Sequence, residues 1–130
     1  MKAVVWLDRL IVETIHVDQV RIHGGLSGVR DENALESALA RPLNRAADDT
    51  RCGLADLAAA YGFGLATSHP FNDGNKRVAL AAALVFLWLN GCRIETDDDS
   101  LTGLLVGVAS GAVAKSEIAV YLQRHAERRA

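Results

Sequence analysis

The sequence predicts a small all-α domain, and three features carry that reading. Apolar residues return at helical spacing in segment after segment. Aspartates, glycines and a proline stand where such segments would open or close. The run from Val78 to Leu89 is apolar on every face, as expected of a helix enclosed by other helices. The chain has 130 residues, half of them hydrophobic, which suits one domain spanning 1–130 with a core that needs neither disulfide nor structural metal.

Each element follows from local signals. Val4 to Leu7 reads as a short extended piece. Asp8 then fits an N-cap for a helix to about His23, with Ile11, Ile15 and Ile22 at near-helical spacing and Val12 and Val20 beside them; Gly24-Gly25 stops it. Gly24 to Arg30 is a glycine-rich loop. Asp31 opens a second helix through Ala40, which Pro42 is expected to end. Leu43 to Gly53 is polar and reads as a surface loop. A third helix fits Leu54 to Ser68; its Gly62 and Gly64 are read as marks of close helix–helix approach. A fourth runs from near Asn75 to Asn90 and stops at Gly91. Cys92 to Thr96 forms a short strand or connector. Asp97-Asp98-Asp99 caps a fifth helix over about Ser100 to Ser110, and Ser116 caps a sixth to about Arg128.

Composition removes several classes of function. Lys plus Arg number 14 and Asp plus Glu 16, a formal charge of −2, so no strong field draws the chain to nucleic acid or to an acidic membrane surface. The basic tail Arg124, Arg128 and Arg129 reads as a solvated helix end. Cys52 and Cys92 form no CxxC pair and read as reduced thiols. The longest apolar run is too short for a bilayer, and Asp8 and Arg9 interrupt any N-terminal leader, so a soluble, cytoplasmic protein is expected. His16 reads as a hydrogen-bonded structural histidine, and His23 and His125 as surface residues; the four histidines make no zinc spacing with the cysteines.

The chemistry is concentrated in His69-Pro70-Phe71-Asn72-Asp73-Gly74-Asn75-Lys76-Arg77, between two of the most apolar helices. Polar groups held against a core cost free energy unless satisfied, so such a concentration points to a site. A helix beginning near Asn75 offers unpaired backbone N–H groups with the positive end of its dipole behind them. Gly74 lets the backbone approach an anion closely, and Lys76 and Arg77 place two cations where a structural cap would favour acids. Asp73 is a hard oxygen donor suited to Mg²⁺. His69 is the residue here whose ordinary pKa suits a general base near neutrality. Phe71 anchors the loop to the core. Base, metal ligand and anion clamp are the parts that phosphoryl or nucleotidyl transfer needs.

This segment resembles the signature of the Fic/Doc superfamily, in its death-on-curing (Doc) branch. The Fic form reads His-Pro-Phe-x-Asp/Glu-Gly-Asn-Gly-Arg-x-x-Arg. The chain matches it from His69 to Asn75, then carries Lys76 in place of the second glycine and Leu80 in place of the final arginine, both in the Doc manner. Trp6-Leu7-Asp8, His16, Gly24 to Gly28, Leu35 to Pro42 and Asn90-Gly91 resemble that branch as well. The resemblance implies a small all-α bundle with the active-site loop between two central helices. It implies that His69 deprotonates a hydroxyl of a target protein, that Asp73 holds Mg²⁺ on the phosphates of ATP, and that Gly74, Asn75, Lys76 and Arg77 cradle those phosphates. It further implies a kinase toxin acting on a translation elongation factor and restrained by a cognate antitoxin. Fic enzymes transfer AMP instead; Lys76 fills the space they leave for phosphate, and Leu80 cannot hold further phosphates as their arginine does. Their self-inhibition uses a Ser or Thr four residues before a Glu followed by Gly or Asn. Glu32-Asn33 comes nearest, with Gly28 at the Ser/Thr place, so restraint is expected from another chain. AMP transfer, a non-catalytic helical binding module and a metal-dependent nuclease are the competing readings, the last disfavoured by the acidic balance.

Overall fold

The computed structural model describes residues 3–95 and 98–129. Among them run α1 (Arg9–His23), α2 (Glu32–Asp48), α3 (Leu54–Ser68), α4 (Asn75–Leu89), β1 (Cys92–Ile94), α5 (Asp98–Ala109), α6 (Ser116–His125) and β2 (Ala126–Arg128). The class is all-α, with one two-stranded ribbon added. Among the described residues no helix is long and apolar enough to cross a membrane.

The caps at the first two helices are those the sequence predicts. The Asp8 carboxylate accepts from Ile11 N at 2.9 Å, and Asp31 accepts from Ala34 N at 3.0 Å. α1 buries Val12 and His16, with Ile11 and Ile15 packed beside them, while Ile22 points to solvent. Arg9 ties the start of α1 to α2 through Glu32 at 2.5 Å and Glu36 at 3.1 Å, exposed pairs of modest value.

Pro42 does not end α2. The helix runs on to Asp48, and the expected loop shrinks to the stretch before α3. An interior proline costs about 3 kcal/mol of local stability. Here Leu35, Ala38 and Pro42 share one buried face, packed against α3, and that burial outweighs the local penalty. Arg45 supports the extension with Asp49 at 3.6 Å and Asp56 at 3.8 Å.

Helices α3 and α4 together form the centre. α3 is the more enclosed, packing against α2, α4, α5 and α6, whereas α4 packs against α3, α1, α5 and β1. α4 was expected to be covered all round, but its last turn leaves Trp88 and Leu89 partly exposed. Tyr61, Phe86, Leu65 and Val78 fill the space between the two helices and their neighbours.

The two ends of the described chain are held at the far end of α4. Residues 3–7 form no strand. They are pinned by side chains: Asn90 accepts from Val5 N at 2.8 Å and donates to Val5 O at 2.9 Å, while the Tyr61 hydroxyl accepts from Leu7 N at 2.9 Å. Gly91 takes the left-handed conformation (φ 88°) that ends α4, and its carbonyl accepts from Arg129 N at 2.8 Å. α6 stops at His125, short of the expected Arg128. Its continuation pairs antiparallel with β1, Cys92 opposite Arg128 and Ile94 opposite Ala126. Arg129 lies over the Trp88 ring at 4.7 Å, so that part of the basic tail covers an exposed aromatic. Lys115, not Ser116, occupies the N-cap of α6 and makes no side-chain cap bond. α5 opens at Asp98, so Asp98 and Asp99 lie in its first turn rather than before it, and Asp97 lies outside the described residues. Cys52 and Cys92 are free thiols, and partial burial pushes Cys52 up from its ordinary pKa.

The two glycines of α3 differ. A Cβ on Gly64 would lie 2.9 Å from Arg41 Cδ and 3.3 Å from Ala38 Cα, so α2 does press closely there. A Cβ on Gly62 would meet its nearest neighbour at 3.6 Å, an ordinary contact. Gly64→Ala should therefore cost about 1–3 kcal/mol through overpacking. Gly62→Ala should be neutral or gain up to about 1 kcal/mol from helix propensity. Urea denaturation of both variants beside the parent measures the difference.

Candidate active site

The site is the turn between α3 and α4, and its shape begins at a proline. Pro70 disfavours the right-handed helical region for His69, and α3 ends there. His69 instead takes φ 50°, ψ 55°, the left-handed region, and is the one described residue other than glycine with positive φ. That conformation costs about 1–2 kcal/mol. Arg30 offsets it by bringing its guanidinium to the His69 carbonyl, with Nε at 3.0 Å and Nη2 at 2.6 Å. The Pro70 carbonyl accepts from Arg30 N at 2.8 Å and Asp31 N at 3.1 Å. The His69 imidazole stands exposed above this anchorage.

Phe71 follows and turns inward, 1% exposed. Its peptide groups, carried toward the core with the ring, are met by one side chain. Asn75 Oδ1 accepts from Phe71 N at 3.0 Å, and Asn75 Nδ2 donates to Phe71 O at 3.1 Å. Asn75, expected in the anion cradle, thus has its side-chain amide engaged inside the turn, and its main-chain N–H is what remains at the start of α4. Under the turn, the His16 ring stacks on Phe71 with centroids 4.0 Å apart and planes at 8°. His16 is 2% exposed, and its Nε2 lies 2.9 Å from the Asp73 main-chain oxygen. A carbonyl can only accept, so Nε2 carries the proton.

Asp73 is exposed. Its Oδ1 accepts from Gly74 N at 2.9 Å, and its Oδ2 lies 3.4 Å from Leu26 N. Gly74 takes φ 73°, and a Cβ there would meet nothing within 4 Å, so open space lies over the helix start. The N–H groups of Asn75, Lys76 and Arg77 are the unpaired donors of the first turn of α4. Lys76 and Arg77 are exposed, and among the described residues neither has an ion pair. Two free cations, free N–H groups and the positive helix end meet at one surface of a chain of net negative charge, an arrangement with the chemistry to attract an anion. Nearby acids offer no ready-made metal cage: no group of three or more His, Cys, Asp or Glu is placed to hold a metal among the described residues.

A strap closes one side. Residues 24–30, leaving α1, lie along the turn: Asn72 N donates to Gly28 O at 3.1 Å, Asn72 Nδ2 to Ser27 O at 2.9 Å, and Val29 pairs with Phe71 in an isolated antiparallel bridge. A Cβ on Gly25 (φ 114°) would lie 2.7 Å from Asp73 Oδ2, so the strap approaches the carboxylate as closely as glycine permits.

All seven residues singled out in the sequence therefore meet in one turn: His69, Asp73, Gly74, Asn75, Lys76 and Arg77 on it, with Phe71 beneath. Two contributors escaped the sequence reading, Arg30 and the strap's hold on Asp73. An arginine directly after a glycine-rich loop and before a helix cap was the available signal for the first.

A helical domain carrying a turn of this sequence is a known class. The family model described as the Fic/DOC family matches residues 6–87, and the chain belongs to that family. Its curated relatives are Doc proteins. The chain is 36% identical over 110 residues to the protein kinase doc of Escherichia phage P1, covering 85% of this chain and 86% of the relative. It is 44% identical over 77 residues to the toxin Doc of Mycolicibacterium smegmatis, covering 58% of this chain and 59% of that protein.

The turn's closure is open to test. Asn75→Ala strips the partners from Phe71 N and O, and should cost about 1–3 kcal/mol or more in chemical denaturation. Gly25→Ala requires a strained backbone and a displaced Asp73 carboxylate. It should cost about 1–3 kcal/mol by the same measurement.

Proposed function

We propose that this chain is the toxin of a toxin–antitoxin pair and acts as a protein kinase. It moves the γ-phosphate of ATP to a hydroxyl of a target protein, a translation elongation factor in the cytoplasm. The observation that carries the reading is the pair of unpaired cations, Lys76 and Arg77, on the first turn of α4, with Asp73 and His69 on the same loop. A relative named a protein kinase and another named a toxin support it.

The steps follow from these groups. The His69 imidazole accepts the proton of the target hydroxyl as its oxygen attacks the γ-phosphorus. The bond from that phosphorus to the β-phosphate oxygen breaks, and ADP leaves. Charge gathering on the phosphate oxygens is met by Lys76, Arg77 and the N–H groups of α4, already in place before the reaction. Lys76 narrows the cradle and Leu80 offers it no charge, which favours phosphate over AMP as the transferred group. One exposed carboxylate is what Mg²⁺ requires when nucleotide phosphates and water complete its shell, and Asp73 retains lone pairs for it. Bound there, Mg²⁺ would neutralise phosphate charge.

Restraint falls to a cognate antitoxin. Glu32, the nearest match to a self-inhibiting glutamate, is paired with Arg9 at 2.5 Å, which holds its carboxyl below the usual range.

The test is expression of the parent, His69→Ala and Asp73→Ala in a bacterial host, with intact-mass analysis of translation factors. The parent should halt growth and add one phosphate to a factor. His69→Ala should lower the rate about 10²–10⁴-fold, and Asp73→Ala should abolish the modification. An added AMP would assign the family's other chemistry. A folded, harmless parent with every factor unmodified would sink the kinase reading in favour of a binding module.

A further inference from the structure

His16 lies in α1, outside the turn, yet it touches the turn at two points. Its ring is stacked on Phe71, and that stack fixes the plane in which Nε2 points. Nε2 then donates to the carbonyl of Asp73. The peptide joining Asp73 to Gly74 is trans, as are all peptides described here. In a trans peptide the C=O and the following N–H point in opposite directions. With the carbonyl held inward on His16, the Gly74 N–H must face outward, and there it meets Asp73 Oδ1 at 2.9 Å.

Glycine makes this orientation a choice. A rotation of the 73–74 peptide by half a turn changes ψ of Asp73 and φ of Gly74, and glycine accepts either sign of φ at little cost. The flipped peptide would aim a carbonyl oxygen toward the anion-binding side and release Asp73 Oδ1 from its donor. Among the described residues, the bond from His16 is the contact that selects the observed state from the carbonyl side.

We propose that His16 is a positioning residue: it locks the Asp73–Gly74 peptide with its carbonyl inward, and so both aims the Asp73 carboxylate and keeps a carbonyl dipole out of the phosphate cradle. The inference rests on the cradle reading above and extends it to a residue that touches neither nucleotide nor target. His16 is more than a satisfied core imidazole, because the group it satisfies belongs to the residue whose orientation the chemistry needs.

Two readouts test it on the full chain, with four variants. The first is the amide signal of Gly74 in nitrogen-15 spectra without ligand. The second is ATP affinity by calorimetry. His16→Phe keeps a ring on Phe71 and removes the donor; His16→Gln keeps a donor; Arg77→Ala tests the cradle itself. Should His16→Phe not fold, His16→Met removes the donor with a flexible apolar side chain. Arg77→Ala should weaken ATP about tenfold or more and leave the Gly74 signal in place. His16→Phe should move the Gly74 amide to a position lacking its hydrogen bond and weaken ATP about tenfold, with His16→Gln recovering most of both. If Arg77→Ala binds ATP as the parent does, the cradle reading fails and this inference with it. If Arg77→Ala is weak while the donor-less variant keeps both the Gly74 signal and parental affinity, the cradle stands and the lock is overturned. Equal losses in His16→Gln and His16→Phe would also overturn it, since packing rather than the donor would then be what matters.

Discussion

The side-chain amide of Asn75 gives the Phe71 backbone both of its hydrogen bonds, and the site depends on that closure. Without it, burying the Phe71 ring would carry two bare peptide groups toward the core, each at a cost of about 1–3 kcal/mol. With it, the ring can sit at 1% exposure while the flanking residues stay at the surface. The turn is thus bolted down at its middle. His69 lies on one side of the bolt and Asp73 to Arg77 on the other, so the imidazole, the carboxylate and the two cations are all presented from one anchored turn. The contacts form a circuit: Asn75 holds Phe71, Phe71 orients His16, and His16 reaches Asp73, two residues before Asn75.

Around the circuit, the fold supplies rigidity from small residues. Ala58, Ala79, Ala82 and Ala83 are fully or nearly fully buried, and Gly64 admits α2 to close range. α1 completes the support of the turn through His16. The strap that follows α1 returns to the turn through main-chain bonds, so α1 supplies the buried contact on Asp73 and the strap the surface contact near its carboxylate.

Signals read from neighbouring residues were legible in the sequence. Asp8 and Asp31 cap the helices they precede, α3 spans Leu54–Ser68, α4 starts at Asn75, and Gly91 stops it. What was not legible depends on partners distant in the chain. Pro42 obeys a local rule until burial against α3 overrides it. Residues 126–128 have no strand pattern of their own and pair only because β1 lies beside them. The family resemblance places His16 near the core, but nothing near it in sequence names Asp73 as the group it meets. Asn75 is a similar case: the motif marks it for the cradle, while its amide is directed to Phe71.

The corner where Asn90 grips Val5 and Gly91 grips Arg129 lies one full helix from the turn, about 22 Å at 1.5 Å per residue over α4. Residues 5 and 129 are therefore tethered to adjacent positions on one backbone, and the described chain is nearly a closed loop in space. A short linker could join them, and the chain could be reopened in the exposed bend between α2 and α3 with every contact of the turn retained. The order of the elements along the chain is thus separable from the arrangement that makes the site, and this corner stands a helix length away from it.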